Sequence, residues 1–265
     1  MVKSIEYGVI LAAGDGKRMK PLSDYFPKVT LPILDKPLLI HHFSIMEMIG
    51  VKKVFIIVSE TNKTKIQEII KDDSHINLSY EFVIQKTLRG TGHAVLLLEK
   101  KLNNKRFLLL LGDEYYNDTS SFKTLQASEK NSLIMGLIEY DNIDHIKAGC
   151  NVHLHENIIT RLVEKPKEDK IEGKWCWDGS LVLDATIFPV LKNLKESSAY
   201  KKDGICLVKA MQILIENEHQ IAVIKKNCKN INMTSDLDFF RANLIEYDKK
   251  YGSIILNNVI NEVLK

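Results

Sequence analysis

Four short apolar runs separated by helix-length segments leave this chain few architectures. Tyr7–Ala13, Lys53–Ser59, Ser79–Gln85 and Arg106–Leu111 have the length and composition of buried strands, while Pro37–Ile49, Asn62–Lys71 and Gly92–Leu102 carry helical patterns between them. Strand and helix in alternation predict a parallel sheet with helices on both faces, because each parallel connection must cross back over the sheet. After about Asp113 the rhythm changes. Leu133–Tyr140, Cys150–His155 and Ile158–Glu164 read as strands with short connections, Glu156-Asn157 being a hairpin turn, so this half is expected to carry antiparallel strands. A strand at Trp177–Leu183, helices at Ala185–Leu194 and Ile205–Glu216, a strand at Gln220–Lys225 and a helix from Thr234 onward complete the pattern. The fold class is α/β, with a mixed, mainly parallel central sheet flanked by helices and a small antiparallel part.

With 265 residues, 45% of them hydrophobic, and neither an internal repeat nor a flexible linker, the chain is expected to build a single domain over 1–265. Its net charge of +3, from 37 basic and 34 acidic residues without a basic block, gives no reason to invoke nucleic acid. Cys150, Cys176, Cys206 and Cys228 form no CxxC pair, so reduced thiols in a reducing cytoplasm are expected. The first strand begins within a few residues of Met1, and no apolar run approaches the ~18 residues of a membrane span, so neither a signal peptide nor membrane insertion is expected. Tyr251–Lys265 has the spacing of a short amphipathic helix, for which packing within the chain is favoured over a homo-oligomer contact.

The chemistry is concentrated in Leu11–Pro32, LAAGDGKRMKPLSDYFPKVTLP. An apolar strand opens here into a glycine-rich loop, at the sheet edge where open α/β folds hold ligands. Gly14 and Gly16 let backbone N–H groups approach phosphate oxygens, Arg18 adds a planar guanidinium, and Lys28 adds a more mobile cation. Two better-known glycine motifs fail on spacing. A dinucleotide fingerprint wants glycine where Met19 stands, and a Walker A loop wants glycine at Leu11 and Ser or Thr at Arg18.

GxGxRMxPL from Gly14 to Leu22 is followed by Pro27-Lys28, Leu31-Pro32 and Lys36-Pro37. Further on come Gln85, then Gly90-Thr91-Gly92-His93-Ala94, Leu111-Gly112-Asp113, Glu164-Lys165-Pro166 and Trp177-Asp178-Gly179. This ordered set, over about nine-tenths of the chain, resembles the sugar-phosphate nucleotidylyltransferases, the family of the thymidylyl, uridylyl and guanylyl enzymes for sugar 1-phosphates. The resemblance implies their Rossmann-like nucleotide-diphospho-sugar transferase fold, with residues 1–113 mainly holding the nucleotide and 114–265 mainly holding the sugar phosphate. It implies transfer of a nucleotidyl group from a nucleoside triphosphate to a sugar 1-phosphate, with release of pyrophosphate.

Site residues follow from the matched positions. Leu11, Ala12, Ala13, Gly14, Gly16, Arg18, Gln85, Gly90 and Thr91 are implied for the nucleotide. The Gln85 amide both donates and accepts, which suits a base edge. Gly149, Glu164, Lys165, Asp178 and Gly179 are implied for the sugar phosphate, and Arg18, Lys28, Asp113 and Lys165 for catalysis. The resemblance assigns Asp113 to Mg2+. A second metal carboxylate is usual late in the family, but Asn232 occupies that position within Asn232-Met-Thr-Ser-Asp-Leu-Asp238, while Asp236 and Asp238 read as first-turn acids of a helix capped by Thr234 or Ser235. His93 reads as a residue that satisfies local hydrogen bonds, and Trp175 and Trp177 as packing groups. The GTGHA segment resembles the uridylyl members, favouring UTP, with dTTP next.

Three other readings remain at this stage. One is cytidylyl or guanylyl transfer to a non-sugar phosphate such as phosphocholine. Another is a catalytically silent nucleotide-binding regulatory module, motivated by Asn232. The third, a dinucleotide oxidoreductase, rests only on the strand-glycine turn and Glu60, and Met19 counts against it.

Overall fold

The computed structural model of the chain describes residues 4–71, 73, 76–127, 133–197, 204–226 and 230–263. Cys228 lies outside them. Eight of the strands that build the site are β1 (Tyr7–Leu11), β2 (Lys53–Val58), β3 (Ser79–Ile84), β4 (Phe107–Leu111), β5 (Glu114–Tyr115), β6 (Leu133–Glu139), β7 (Cys150–His155) and β8 (Ile158–Glu164). They are followed by β9 (Trp175–Leu183), β10 (Ile221–Lys226) and β11 (Ile231–Asn232). The main helices are α1 (Leu38–Met48), α2 (Glu60–Ile70), α3 (Thr91–Leu96), α4 (Ile187–Glu196), α5 (Leu207–Glu216), α6 (Asp236–Tyr251) and α7 (Ser253–Val263).

One nine-stranded sheet carries both halves, in the order β8-β7-β9-β4-β1-β2-β3, with β6 added to β9 and β10 added to β6. β1 pairs in parallel with β2 and with β4, and β2 with β3. Their residues are apolar on successive positions because both faces are covered. Val9, Phe55, Ile57, Phe107 and Leu109 pack on one face with Leu191 of α4 and Leu207 of α5. Ile10, Val54, Ile56, Leu108 and Leu110 pack on the other with Phe43 and Met46 of α1 and Ile66 of α2. Ser59 starts α2 by accepting a hydrogen bond from the Asn62 N–H at 3.1 Å, which satisfies one of the free donors of the first turn.

The second half is mostly antiparallel, as β9 runs against β4, β6 and β7, and β7 against β8. The β7–β8 hairpin turns through Glu156 and Asn157, both with positive φ (49° and 66°), the conformation that matches the twist of the flanking strands. β10 departs from the expected pattern by pairing with β6 in parallel. The helix expected over Gly92–Leu102 is divided into α3 and a separate turn at Glu99–Leu102. α7 lies against α6, but Ile254, Ile255, Val259 and Ile260 remain exposed, so packing within the chain covers little of its apolar surface. Among the described residues no helix is long and apolar enough to cross a membrane.

Candidate active site

The carboxyl ends of β1 and β4 lie side by side, Leu11 pairing with Leu111. Chain order reverses here, since β2 and β3 extend the sheet on one side of β1 and β4 lies on the other. The loops leaving such a pair of strands diverge and leave a crevice between them. A cleft of about 500 Å³ occupies that position.

Leu11, Ala12, Ala13, Gly14, Gly16 and Arg18 line one side of the cleft. Gly16 has φ +63°, and a Cβ there would meet Ser23 Cβ at 2.9 Å and Lys28 Cγ at 3.3 Å. Glycine thus permits both the left-handed turn and the passage of the Lys28 side chain across it. Lys28, with only 11% of its side chain exposed, places Nζ 3.1 Å from Oδ2 of Asp113. The Asp113 carbonyl accepts from the Met233 N–H at 2.8 Å, next to the antiparallel pairing of β5 with β11, where Glu114 stands opposite Asn232. This short ribbon brings Asn232 to the cleft from 119 positions beyond Asp113.

A second loop of the cleft begins after β3. Gln85 is almost fully buried, its backbone N–H donates to Val58 O at 2.8 Å, and its side-chain Nε2 donates to Gly90 O at 3.1 Å. Gly90 and Thr91 line the cleft, and the Thr91 hydroxyl accepts from the Leu207 N–H at 3.0 Å, tying α3 to the start of α5.

On the opposite side, β7 and β8 present Gly149, Cys150, Glu164 and Lys165. Lys165 adopts a left-handed backbone, φ 46°, and its N–H donates to Gly149 O at 2.7 Å, so the end of β8 is fastened to the segment entering β7. Partial removal from water by the surrounding walls raises the Glu164 carboxyl above its usual range, with the Lys165 ammonium acting in the opposite direction.

The structure brings sixteen of the seventeen sequence-derived positions into this one cleft, and Asp178 is the exception. Its neighbours Trp177 and Gly179 line the cleft, whereas Asp178 is buried on the other side of β9, as strand alternation requires. Its Oδ1 accepts from the Ser180 N–H at 2.8 Å and Oγ at 2.6 Å, and its carboxylate pairs with the Lys226 ammonium, itself 3.6 Å from the Phe122 ring centroid. These contacts hold the Asp178 carboxylate away from the cleft, which does not fit the sugar contact expected of it.

The nucleotidyl transferase family model matches residues 7–228, most of the chain. The chain belongs to the nucleotidyl transferase family. It is 33% identical to the bifunctional protein GlmU of Methanococcus maripaludis over 209 residues, which are 79% of this chain and 47% of that protein. It is 25% identical to the glucose-1-phosphate thymidylyltransferase of Neisseria meningitidis over 192 residues, 72% of this chain and 66% of that enzyme. The chain spans about half the length of the first of these relatives. A solved structure of UDP-glucose pyrophosphorylase complexed with UDP-glucose matches with a TM-score of 0.76 at 22% identity, covering 92% of this chain and 99% of that one, and shares its fold.

Among the cleft residues without a role in the sequence analysis, Trp177 and Glu114 stand out. Trp177, read as a packing group, lines the cleft. So does Glu114, whose carboxyl burial pushes well above the usual range, reinforced by Asp113 and Asp178. Glu114 Cγ occupies the space where Gly179, at φ +87°, would carry a Cβ, only 2.6 Å away. The signal for Glu114 was the second acid of Asp113-Glu114, directly behind an apolar strand. Asn232 Nδ2 donates to Glu114 Oε1 at 2.6 Å, leaving Asn232 Oδ1 as the atom able to meet a cation. Among the described residues no three His, Cys, Asp or Glu side chains are grouped to hold a metal unaided. One carboxylate and one amide oxygen fit a hard cation that takes its remaining ligands from phosphate and water, which is the habit of Mg2+.

Proposed function

We propose that this chain transfers a nucleotidyl group from a nucleoside triphosphate to a sugar 1-phosphate, releasing pyrophosphate. The observation that carries this reading is the convergence, in one cleft, of the Gly14–Arg18 turn, the Lys28–Asp113 pair and the Glu164–Lys165 strand end. The first suits a triphosphate, the last a phosphorylated sugar, and the pair stands between these parts of the chain.

An oxygen of the sugar 1-phosphate attacks the α-phosphorus in line, the bond to the β-phosphate oxygen breaks, and pyrophosphate leaves. A phosphate monoester is already nucleophilic near neutral pH, so the reaction needs alignment and charge neutralisation more than a general base. Lys28 and Lys165 hold the reacting phosphates and Arg18 the departing pyrophosphate. Glu164 accepts hydrogen bonds from sugar hydroxyls, and Gly149 allows the sugar close to the backbone. Asp113 and Asn232 would hold Mg2+, which when bound neutralises charge on the phosphates. UTP is the favoured donor, with dTTP next.

The neutral amide at Asn232 favours one second reading, a module that binds nucleotide without turning it over. Mass spectrometry of products from each of five nucleoside triphosphates, paired with hexose 1-phosphates or phosphocholine in Mg2+, decides between them. A nucleoside diphosphate sugar from one pair is the expected product. A cytidylyl or guanylyl phosphocholine product would move the acceptor class, and bound nucleotide with no product across the panel would support the silent module.

A further inference from the structure

The polar atoms around Gln85 determine which of its two amide ends is left for a ligand. Its Nε2 lies 3.1 Å from Gly90 O and 3.1 Å from Nδ1 of His93. A backbone carbonyl oxygen can only accept, so the end of the amide facing Gly90 must be the nitrogen. An amide nitrogen has two protons, and the second is directed to His93 Nδ1, which accepts when the ring carries its proton on Nε2. Burial lowers the His93 pKa, with Lys195 and Arg89 acting in the same direction, and this agrees with a neutral ring. The atom left to meet a ligand is Oε1, on a residue that lines the cleft and is only 4% exposed.

We propose that His93 is a positioning residue for base choice: together with Gly90 O it holds Gln85 so that the cleft offers a fixed acceptor, selecting a pyrimidine with a ring N–H, uracil or thymine, over cytosine. The inference rests on the nucleotide reading of this cleft. Uracil and thymine present a donor at ring position 3, whereas cytosine presents a lone pair there. A freely turning amide would satisfy either base by exchanging its ends. An amide whose two protons are already committed satisfies one and repels the other. His93 and Gly90 are three residues apart around the start of α3, so a short helix entrance sets the polarity of a side chain delivered by β3.

The test is equilibrium binding of UTP, dTTP and CTP to the wild-type chain and to His93→Ala, His93→Leu and His93→Asn, each first shown to be folded by circular dichroism. Wild type is expected to bind UTP and dTTP at least about tenfold more tightly than CTP, on the scale of one hydrogen bond gained and one repulsion avoided. His93→Ala and His93→Leu remove the acceptor and are expected to lower that ratio by about tenfold; either one suffices if the other fails to fold. His93→Asn restores an acceptor oxygen in place of Nδ1 and is expected to retain most of the preference. A structural loss alone would weaken all three nucleotides alike and leave the ratio unchanged. Equal binding of UTP and CTP by wild type, or a ratio untouched in the folded His93→Ala and His93→Leu variants, would overturn the role given to His93. Failure of wild type to bind any of the three would overturn the nucleotide reading itself.

Discussion

Asp178 and His42 are buried titratable groups, one held charged by its partner and the other held neutral by burial. Asp178 stands in the Trp-Asp-Gly segment from which a sugar contact was expected, yet its carboxylate is committed to Lys226 and Ser180. Asp178→Asn is expected to leave the Lys226 ammonium buried without its anion, lowering stability by about 3 kcal/mol in urea denaturation. It should leave KM for the sugar phosphate near wild type; unchanged stability with a raised KM would restore the sugar contact. His42 on α1 is fully buried, with Nε2 2.8 Å from Glu114 O, and burial lowers its pKa to about 4 from 6.5. A depressed folded pKa means that the unfolded chain takes up the proton first as pH falls. The stabilising effect of a neutral His42 is therefore complete above about pH 6.5 and is lost between there and about pH 4, amounting to roughly 3 kcal/mol. Denaturation series at pH 7, 5.5 and 4.5 should show a shallower decline in His42→Gln than in wild type, and parallel declines would refute this assignment.

At the scale of elements, most of the strands were legible because a run such as Phe107–Leu111 is too short for a helix and ends at Gly112-Asp113. The α6 start was legible too. Ser235 accepts from the Asp238 N–H, and the Asp238 carboxylate accepts from the Ser235 N–H, a reciprocal capping box that accounts for Asp238 as a helix-start acid. Ser235→Ala should cost about 1 kcal/mol in a thermal or urea melt, and a change below about 0.3 kcal/mol would show that the cap carries little of the helix. Other features had no local signature. The parallel pairing of β10 with β6 joins segments far apart in the chain, and the β5–β11 ribbon consists of two two-residue strands whose pairing only the closed fold creates. Asn232 could be placed by motif order, but its hydrogen bond to Glu114 could not, because no pattern in either segment specifies the other. The face on which Asp178 falls was in principle readable from the two-residue period of β9; motif resemblance took precedence over that period.

Across the whole molecule, the cleft arises from one topological fact, the reversal of strand order at β1 beside β4. That reversal places the glycine turn after β1 next to Asp113 after β4, while β9, running antiparallel between β4 and β7, extends the sheet to β7 and β8, which supply the facing wall. The site is thus a product of long-range packing, although its residue types were visible in sequence order. In the proposed reaction this one cleft aligns a triphosphate with a sugar phosphate, and Arg18 stabilises the departing pyrophosphate. The most direct test is pyrophosphate release with Mg2+, UTP or dTTP and a hexose 1-phosphate, measured for wild type and for Arg18→Ala. Release that requires both substrates and falls by about 100-fold in the variant, with an unchanged melting temperature, is the expected result; release that ignores the sugar phosphate, or a folded variant that turns over as fast as wild type, would contradict it.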